Sequence, residues 1–544
     1  MNHIPQKVFA RNSTGLVRQI SPTDAFLFNQ SFINAGLIVL LTLIYVPAIY
    51  PGASILVAAV LGTLLALPTA LVHGVLATAY PRSGGDYVYN SRILHPAVGF
   101  GGNFNITIWL LIYVGFGAYG FSQFGLVPAF RFLANAGWPG LHAVASWSGT
   151  PVGSFVVGSV LLVLVTAAYV THTRSVTRIQ RILFLIGAVS FVAMTAVMLA
   201  TRPAEFAGRL DAYLAAAFQF TDGTAGIMRQ ATDLGYQTGK AFSAASTFLA
   251  LYFVANWFFW GNASTYLGGE VQRAERTQIL TMPLAVVVTG VLVFFCFLGF
   301  QRAVTADLLG SIGYGMAMAP ESSPALLYSE LAAVASGSKW IGGLIVLGAL
   351  YWPLAFVLAP LGPTTRNVLA WSLDQLIPDR FSRLHPKTHT PVAAILLCAS
   401  VAEIGLVLFS FFPAFSAMVG VVGAFLTYAL TSVSAAVLPF RSRLGVGTPP
   451  LQRRLGPVPV ITVIAGVSLL AIAVLDISVL SDPFSGISLS PTVDAGLGQG
   501  LPFLMFLVNI GIFSCGFVLY GLAYWIQRRR GVDVSLAFKE IPPE

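Results

Sequence analysis

Twelve long apolar stretches divide this 544-residue chain, and they restrict what it can fold into more than any other feature. A helix needs about 20 mostly apolar residues to cross the hydrocarbon core of a bilayer. The stretches are continuous rather than alternating, which favours helices over the strands of a barrel. They cover residues 25–50, 53–79, 97–130, 151–171, 180–201, 241–266, 278–301, 339–364, 391–411, 413–439, 457–477 and 501–526. The sequence therefore predicts an all-α polytopic membrane protein with twelve transmembrane helices.

The charged residues agree with this prediction in number and in position. Only 9% of the residues are charged, whereas a soluble domain carries roughly 25%. If both termini are cytoplasmic, 22 of the 29 Lys and Arg residues fall in cytoplasmic segments, as the positive-inside rule requires. We therefore predict a multi-pass protein of the cell (cytoplasmic) membrane with cytoplasmic N- and C-termini. The net charge of +9 then follows from topology and requires no nucleic-acid partner.

Two of the twelve stretches carry polar and small residues at mid-depth. The first contains FNQSFINAGLIVL (28–40) and the sixth contains FVANWFFWGNASTY (253–266). Interrupted helices expose backbone polar groups within a membrane and can there form a binding site. Because the sixth stretch comes five spans after the first, the two hold corresponding positions in two inverted five-helix units. The alternative is that these residues only pack helices together.

This arrangement predicts six parts of the chain. The cytoplasmic N-terminal tail occupies residues 1–24, the first five-helix repeat 25–201 and the extracellular loop 202–240. The second five-helix repeat occupies residues 241–440, the two further helices 441–527 and the cytoplasmic C-terminal tail 528–544.

Three polar segments on the predicted cytoplasmic side carry a family resemblance. They read YPRSGGDYVYNSRILHP (80–96), GGEVQRAER (268–276) and RNVLAWSLDQLIPDRFSRLHPKTHTP (366–391). In this order they resemble the signature segments of the amino acid–polyamine–organocation (APC) permease superfamily. The resemblance implies a LeuT-like fold, with an amino acid or related amine held by unwound spans one and six. It also implies secondary transport by alternating access.

The predicted substrate contacts lie at the two interruptions. Ends of broken helices offer free N–H groups to a carboxylate and free carbonyls to an ammonium group, so no charged side chain is needed. This favours a neutral amino acid. From spans one and six we predict contacts at Asn34, Ala35, Gly36, Asn256, Trp257, Phe258 and Gly261. Further candidates are Tyr113 in span three and Tyr351 or Trp352 in span eight.

The segment 80–96 is interpreted as part of a cytoplasmic gate. Gly84 and Gly85 allow a tight turn that other residues resist. We expect Arg82, Asp86 and Arg92 to pair across the mouth, Tyr87 and Tyr89 to lie at the membrane interface, and Glu270 and Arg366 to act as further gate partners. The alternative is a rigid turn with ordinary positively charged anchors.

The coupling ion, a proton or sodium, is less well indicated. Glu403 in span nine and His73 in span two are candidate coupling residues, because ionisable groups within a membrane are costly and often functional. Helix pairing by Glu403 and simple packing of His73 are the alternatives. The resemblance suggests a span-five lysine near Gly187 or Ala188, or Ser or Thr hydroxyls in span eight, but the lysine is absent and the inner part of span eight, 353–363, holds no hydroxyl.

No metal-ligand spacing, cofactor motif or paired catalytic constellation is found, so we predict neither a cofactor nor an enzyme. The expected partners are a small-molecule amino acid or amine, the lipid bilayer and a coupling ion. Two functions remain as alternatives to an amino acid permease: a membrane sensor of the same fold, and a polyamine or amine exchanger.

Overall fold

The computed structural model describes residues 16, 18–171, 173–412, 421–441, 449–482, 487 and 501–538. In this part of the chain, twelve helices are long and apolar enough to cross a membrane. They are TM1 Pro22–Ile49, TM2 Ile55–Ala79, TM3 Pro96–Asn135, TM4 Pro151–Thr171, TM5 Val176–Ala200, TM6 Ala244–Tyr266, TM7 Ala274–Ala303, TM8 Lys339–Leu373, TM9 Val392–Phe411, TM10 Val422–Phe440, TM11 Val460–Ser481 and TM12 Pro502–Arg529. The twelve spans and the all-α class are thus confirmed. The predicted start of span ten (413–420) and most of both predicted tails (1–15 and 539–544) lie outside the described residues.

Local sequence explains where several of these helices begin. Ser21, Ser54 and Ser243 precede TM1, TM2 and TM6, and each hydroxyl accepts a backbone N–H of the first turn. Such N-caps satisfy one of the N–H groups that a helix start leaves without a partner. TM1 and TM3 also start with proline, which is well tolerated at the first helical position.

Shorter elements connect the spans. The connecting helices are Asp86–Ile93, Leu141–Ser148, Pro203–Phe218, Gly223–Asp233, Ala306–Met318, Tyr328–Ala335 and Pro449–Gln452, with single 3₁₀ turns at Asp379–Phe381 and Val534–Phe538. Strands Arg454–Leu455 and Val458–Pro459 form one small antiparallel hairpin between TM10 and TM11.

TM8 extends nine residues beyond the predicted end at residue 364. The hydroxyls of Thr364 and Thr365 donate to carbonyls of their own helix, and the next residue, Arg366, is buried in an ion pair. These polar groups face protein rather than lipid. A helix can therefore continue through them although local hydropathy falls.

The buried fraction of each span distinguishes the central helices from the peripheral ones. In TM8, TM1 and TM6, 78%, 72% and 67% of the most apolar segment is buried within the protein. The corresponding value for TM12 is 17%. TM1, TM6 and TM8 therefore form the centre of the bundle, and TM12 lies at its edge.

Four segments meet at one end of the bundle, which we call the N-terminal face. The N–H groups of Gln19 and Ile20 donate to the carbonyl of Glu270, both at 2.9 Å. Ser83 forms a β-bridge with Leu267, and the segment 366–381 ends at the same face. At the other end, the opposite face, the connecting helices 203–233 and 306–335 cover the ends of TM1 and TM3.

The opposite face is held by its own buried ion pair. Arg131 at the end of TM3 donates to both carboxylate oxygens of Glu330, at 2.7 and 2.5 Å. The hydroxyl of Tyr213 donates to the same carboxylate, and Phe218 lies 4.4 Å from the guanidinium carbon. The connecting segments of this face are thereby tied to TM3.

Candidate functional site

TM1 is broken at Asn34. One helix ends at Ile33 and the next begins at Ala35, while Asn34 has φ 63° and ψ 73° in the left-handed region. Its Oδ1 accepts the N–H of Leu37 at 3.1 Å, and its Nδ2 donates to the carbonyl of Trp352 at 2.7 Å. Asparagine tolerates this conformation better than most residues, because its short polar side chain bonds locally.

The break leaves backbone groups of both signs at mid-membrane. The first N–H groups of the second half-helix, at Ala35 and Gly36, have no helical partner, and neither do the last carbonyls of the first half-helix. The N-terminus of a helix carries partial positive charge and its C-terminus partial negative charge. The interruption can thus hold a dipolar molecule by its carboxylate and ammonium groups.

TM8 packs directly onto this break. A Cβ atom on Gly36 would overlap the indole of Trp352, so only glycine admits this approach. The hydroxyl of Tyr351 lies 2.6 Å from Oγ of Ser31. TM8 loses regular helical hydrogen bonding at Leu350, three residues before Pro353, although Leu350 keeps right-handed helical dihedrals, because proline removes a helical hydrogen bond and clashes with the preceding turn. Sequence reasoning did not identify this irregularity, although Pro353 signalled it.

TM6 loses its α-helical form at the residues where an interruption was expected. The α-helix ends at Ala255, and the chain continues as 3₁₀ turns over Asn256–Trp260 and Ala263–Tyr266. The predicted contact Asn256 donates its Nδ2 to the carbonyl of Tyr252 in its own helix at 2.8 Å. Its side chain is therefore already engaged.

The irregular part of TM6 lies against the break in TM1. The rings of Phe32 and Trp260 are 5.8 Å apart, and a Cβ on Gly261 would lie 3.2 Å from Cδ1 of Ile33. The N–H of Ser264 donates to Oδ1 of Asn29 at 2.8 Å. The two interruptions therefore form one continuous region.

The remaining predicted contacts occupy different sides of this region. The ring of Phe356, which sequence reasoning missed, lies 5.4 Å from Trp257 and 6.1 Å from Tyr113. Phe258 is completely buried. Tyr351 stacks edge-on against Trp352 on the TM8 side. Phe356 is one turn after Trp352 on TM8, and that spacing was the available signal.

The predicted gate residues Glu270 and Arg366 form an ion pair at the N-terminal face. Nε and Nη2 of Arg366 donate to the two carboxylate oxygens of Glu270 at 2.7 and 3.0 Å, and both side chains are 1% exposed. Because two hydrogen bonds join the two groups, the contact fixes the orientation of the guanidinium relative to the carboxylate in addition to pairing their charges. It joins the end of TM6 to TM8.

The turn before the Asp86–Ile93 helix depends on its two glycines. Gly84 and Gly85 have φ of +102° and +48°, which glycine adopts without steric cost. A Cβ on Gly85 would lie 2.8 Å from the ring of Tyr266. This close approach brings the segment 80–93 against the irregular part of TM6.

In the described part of the chain, Arg82, Asp86 and Arg92 form no ion pair with one another. Arg92 instead pairs with Asp374 at 2.8 Å, and Arg82 donates to the carbonyl of Pro81 at 3.2 Å. Asp86 accepts a hydrogen bond from Nδ2 of Asn103 at 3.2 Å and forms no ion pair with any described residue. The reason is geometric, since the helix that starts at Asp86 directs Arg92 towards the segment after TM8.

Tyr87 and Tyr89, which were expected at the interface, make their contacts inside the protein. Both are buried within the protein. The hydroxyl of Tyr87 donates to Asp374 at 2.7 Å, and that of Tyr89 lies 2.7 Å from Oγ1 of Thr265. The polar tips of both rings find partners inside the face, so they need no contact with lipid headgroups.

Burial dominates the electrostatics of Asp86. Its side chain has no solvent exposure, and desolvation raises the pKa of the carboxyl from 3.8 to about 6. The neighbouring groups Tyr266 and Asn103 and its own backbone N–H act in the opposite direction and lower the pKa. The net upward shift follows, because burial disfavours the charged form of an acid.

The two predicted coupling residues have different surroundings. Glu403 of TM9 accepts a hydrogen bond from Ser159 of TM4 and is partly buried. His73 of TM2 is fully buried, with Nδ1 2.9 Å from the carbonyl of Thr69 and its ring 5.2 Å from Tyr428. Because that carbonyl can only accept, Nδ1 carries the proton and Nε2 is an unpaired acceptor.

The TM5 position that lacks a lysine is closed by TM8. A Cβ on Gly187 would overlap the ring of Tyr351. Among the described residues, no group of three or more His, Cys, Asp or Glu side chains could hold a metal ion.

Comparisons with known proteins agree with this architecture. The family model for amino acid permeases matches residues 26–480 of the chain. The branched-chain amino acid permease BcaP of Bacillus subtilis (strain 168) is 28% identical over 116 residues, which are 21% of this chain and 20% of that protein. The chain thus matches about a fifth of the length of this curated relative. A permease family is one of transporters rather than enzymes, and the APC resemblance is confirmed. From its matched length and its twelve spans, this chain belongs to the amino acid permease family.

Proposed function

We propose that this protein carries an amino acid across the cell membrane by alternating access, with the substrate bound between the interruptions of TM1 and TM6. One observation carries the proposal. The break at Asn34 presents free N–H groups and free carbonyls at mid-membrane, beside a non-helical part of TM6. Intact helices hide these groups, and a membrane protein tolerates free backbone polar groups only where they face protein or a polar ligand.

The substrate we infer is a neutral amino acid with an apolar side chain. No charged residue occurs in 28–40 or 253–266, so a charged substrate side chain would find no counter-ion there. The aromatic rings of Trp257, Phe356 and Trp260 suit an apolar side chain instead. The matched relative is named for branched-chain amino acids. These amino acids should therefore be tested first.

The proposed cycle uses the two faces in turn. We assign the N-terminal face to the cytoplasm from the distribution of Lys and Arg. Glu270–Arg366 closes that face, and Arg131–Glu330 closes the other, which corresponds to an occluded state. The two five-helix repeats of 25–201 and 241–440, related by inversion, would supply the two alternative openings.

The test is counterflow in liposomes. The purified protein is reconstituted with one unlabelled amino acid inside, and entry of a labelled panel is followed without any ion gradient. We expect accumulation of at least one neutral apolar amino acid. As a matched pair, Gly36→Ala should reduce it at least tenfold and Gly343→Ala should not, because a Cβ on Gly343 has its nearest neighbour at 3.6 Å.

The alternatives give different results in the same assay. Counterflow of polyamines but not of amino acids would replace the substrate class. Saturable binding of an amino acid by folded protein, without counterflow, would support the sensor alternative and contradict transport.

A further inference from the structure

The carboxyl group of Asp86 is buried at the N-terminal face, and no described residue forms an ion pair with it. Its side chain has 0% exposure. Oδ2 accepts from Asn103 of TM3 at 3.2 Å, whereas Oδ1 has no hydrogen-bond partner. The hydroxyl of Tyr266 lies close to the carboxyl and lowers its pKa, but it has no other hydrogen-bond partner among the described residues. Ionisation would therefore bury a charge with little compensation, and the neutral acid avoids that cost.

Among the described residues, none of the groups that shift the pKa of Asp86 is a cation. The helix it begins packs against TM3 and TM10, and the turn before it packs against TM6 and TM8. The titratable groups that face the carboxyl are Tyr266 of TM6, Tyr89 of its own helix and Tyr428 of TM10. The nearby arginines, Arg92 and Arg366, are held by Asp374 and Glu270.

We propose that Asp86 is the proton-binding site that couples proton movement to transport. This inference rests on the proposed function and adds the coupling ion to it. An unpaired carboxylate is costly to bury, and taking up a proton removes the cost. The raised pKa of this carboxyl, about 6, lies within reach of physiological pH.

The position of Asp86 links its proton to the state of the N-terminal face. Asn103, which donates to the carboxyl, accepts the indole N–H of Trp371 of TM8 at 2.7 Å. Tyr266 belongs to the irregular part of TM6. The carboxyl therefore lies between TM3, TM6 and TM8, which must separate for this face to open. Opening admits water and favours the carboxylate, so the proton is held in the closed state and released in the open one.

The two coupling residues predicted from the sequence are placed less favourably for this role. Glu403 of TM9 accepts a hydrogen bond from Ser159 of TM4. The contact between these two helices includes neither interruption. The ring of His73 contacts Tyr428, whose hydroxyl donates to Asn262 of TM6 at 3.3 Å. His73 is thus connected to the interruption of TM6 by one intervening side chain. Neither lies between segments of the N-terminal face.

The experiment measures substrate and proton together. Wild type and Asp86→Asn are reconstituted with a pH-sensitive dye inside the liposomes. Counterflow without an ion gradient is compared with accumulation driven by an acidic exterior. Asp222→Asn is the matched control, since Asp222 is an exposed acid on the opposite face, 62% exposed and paired with Arg229. We expect wild type and Asp222→Asn to move protons with substrate, and Asp86→Asn to retain counterflow but lose proton movement and pH-driven accumulation.

Two results would overturn the proposal. One is proton-driven accumulation by folded Asp86→Asn at the wild-type level. The other is net uptake of substrate by wild type, driven by a substrate gradient alone, with no proton movement, which would leave the transport function intact. Absence of wild-type counterflow would instead remove the proposed function itself, and the two failures are thereby distinguished.

A second variant covers the case in which Asp86→Asn does not fold. Tyr266→Phe removes the hydroxyl that favours the carboxylate. The pH of half-maximal proton-coupled uptake should then rise, because the carboxyl holds its proton to a higher pH. An unchanged midpoint would contradict the assignment, since a purely structural role for Asp86 would not connect Tyr266 to the pH profile.

Discussion

Removing one partner of the Glu270–Arg366 pair should open the N-terminal face. In Glu270→Gln, Arg366 stays charged, 1% exposed and without its two-point partner. Breaking a buried pair in this way costs about 3–5 kcal/mol. If opening the face hydrates the guanidinium, the cost falls on the closed state alone. Since about 1.4 kcal/mol corresponds to a factor of ten, the open population should rise at least about a hundredfold.

The assay is labelling of a single cysteine at position 365. Thr365 is fully buried beside the pair, and the native cysteines 296, 398 and 515 are first replaced by serine or alanine. A membrane-impermeant thiol reagent is applied at the N-terminal face. We expect the Glu270→Gln background to be labelled much faster than the parent. The control is Glu205→Gln, which removes an exposed pair with Arg209 and should change little, because such pairs contribute roughly 0–1 kcal/mol.

A double variant separates charge from side-chain shape. Glu270→Gln with Arg366→Gln removes both charges of the pair, so no unpaired charge is left there and labelling should fall back towards the parent rate. Labelling of folded Glu270→Gln at the parent rate would refute the reasoning, because it would mean that the pair does not hold this face closed.

Three further predictions concern glycine packing and pH. Gly36→Ala should reduce transport by at least tenfold in the counterflow assay, because a Cβ there overlaps Trp352; unchanged transport would mean that this contact does not form. Gly85→Ala should lower thermal stability by about 1–3 kcal/mol, since φ is +48°, whereas Gly521→Ala, with nothing within 4 Å, should not. Wild type should lose about 3 kcal/mol of stability relative to Asp86→Asn as pH rises from 3.8 to about 6, because the folded state binds the proton more tightly than the unfolded one; parallel melting curves across this range would contradict it.

Hydropathy located all twelve spans, and the C-terminal ends of TM2 and TM4 agree with the predictions to the residue. It failed at TM8, where Thr364, Thr365 and Arg366 are polar but buried. An apolar window detects contact with lipid and cannot detect polar groups that are satisfied inside a bundle. Hydropathy also gave no sign of the π turn Phe121–Leu126 of TM3.

Residue patterns located the interruptions more accurately than the pairings across them. Asn34 and the segment after Ala255 could be found from polar residues at mid-depth. The partner of Arg92 could not, because Asp374 is 282 positions away in sequence and only the packing of TM8 brings it near. The segment that contains Asp374 was recognised, but no local spacing links it to Arg92.

The most direct test of the account is a structure with the transported amino acid bound. A cryo-electron microscopy map would be determined with the amino acid that gives counterflow. We expect the carboxylate of the amino acid to contact the N–H groups of Ala35 and Gly36, and its side chain to lie against Trp257 and Phe356. Density for the amino acid at any position away from the interruptions of TM1 and TM6 would contradict it.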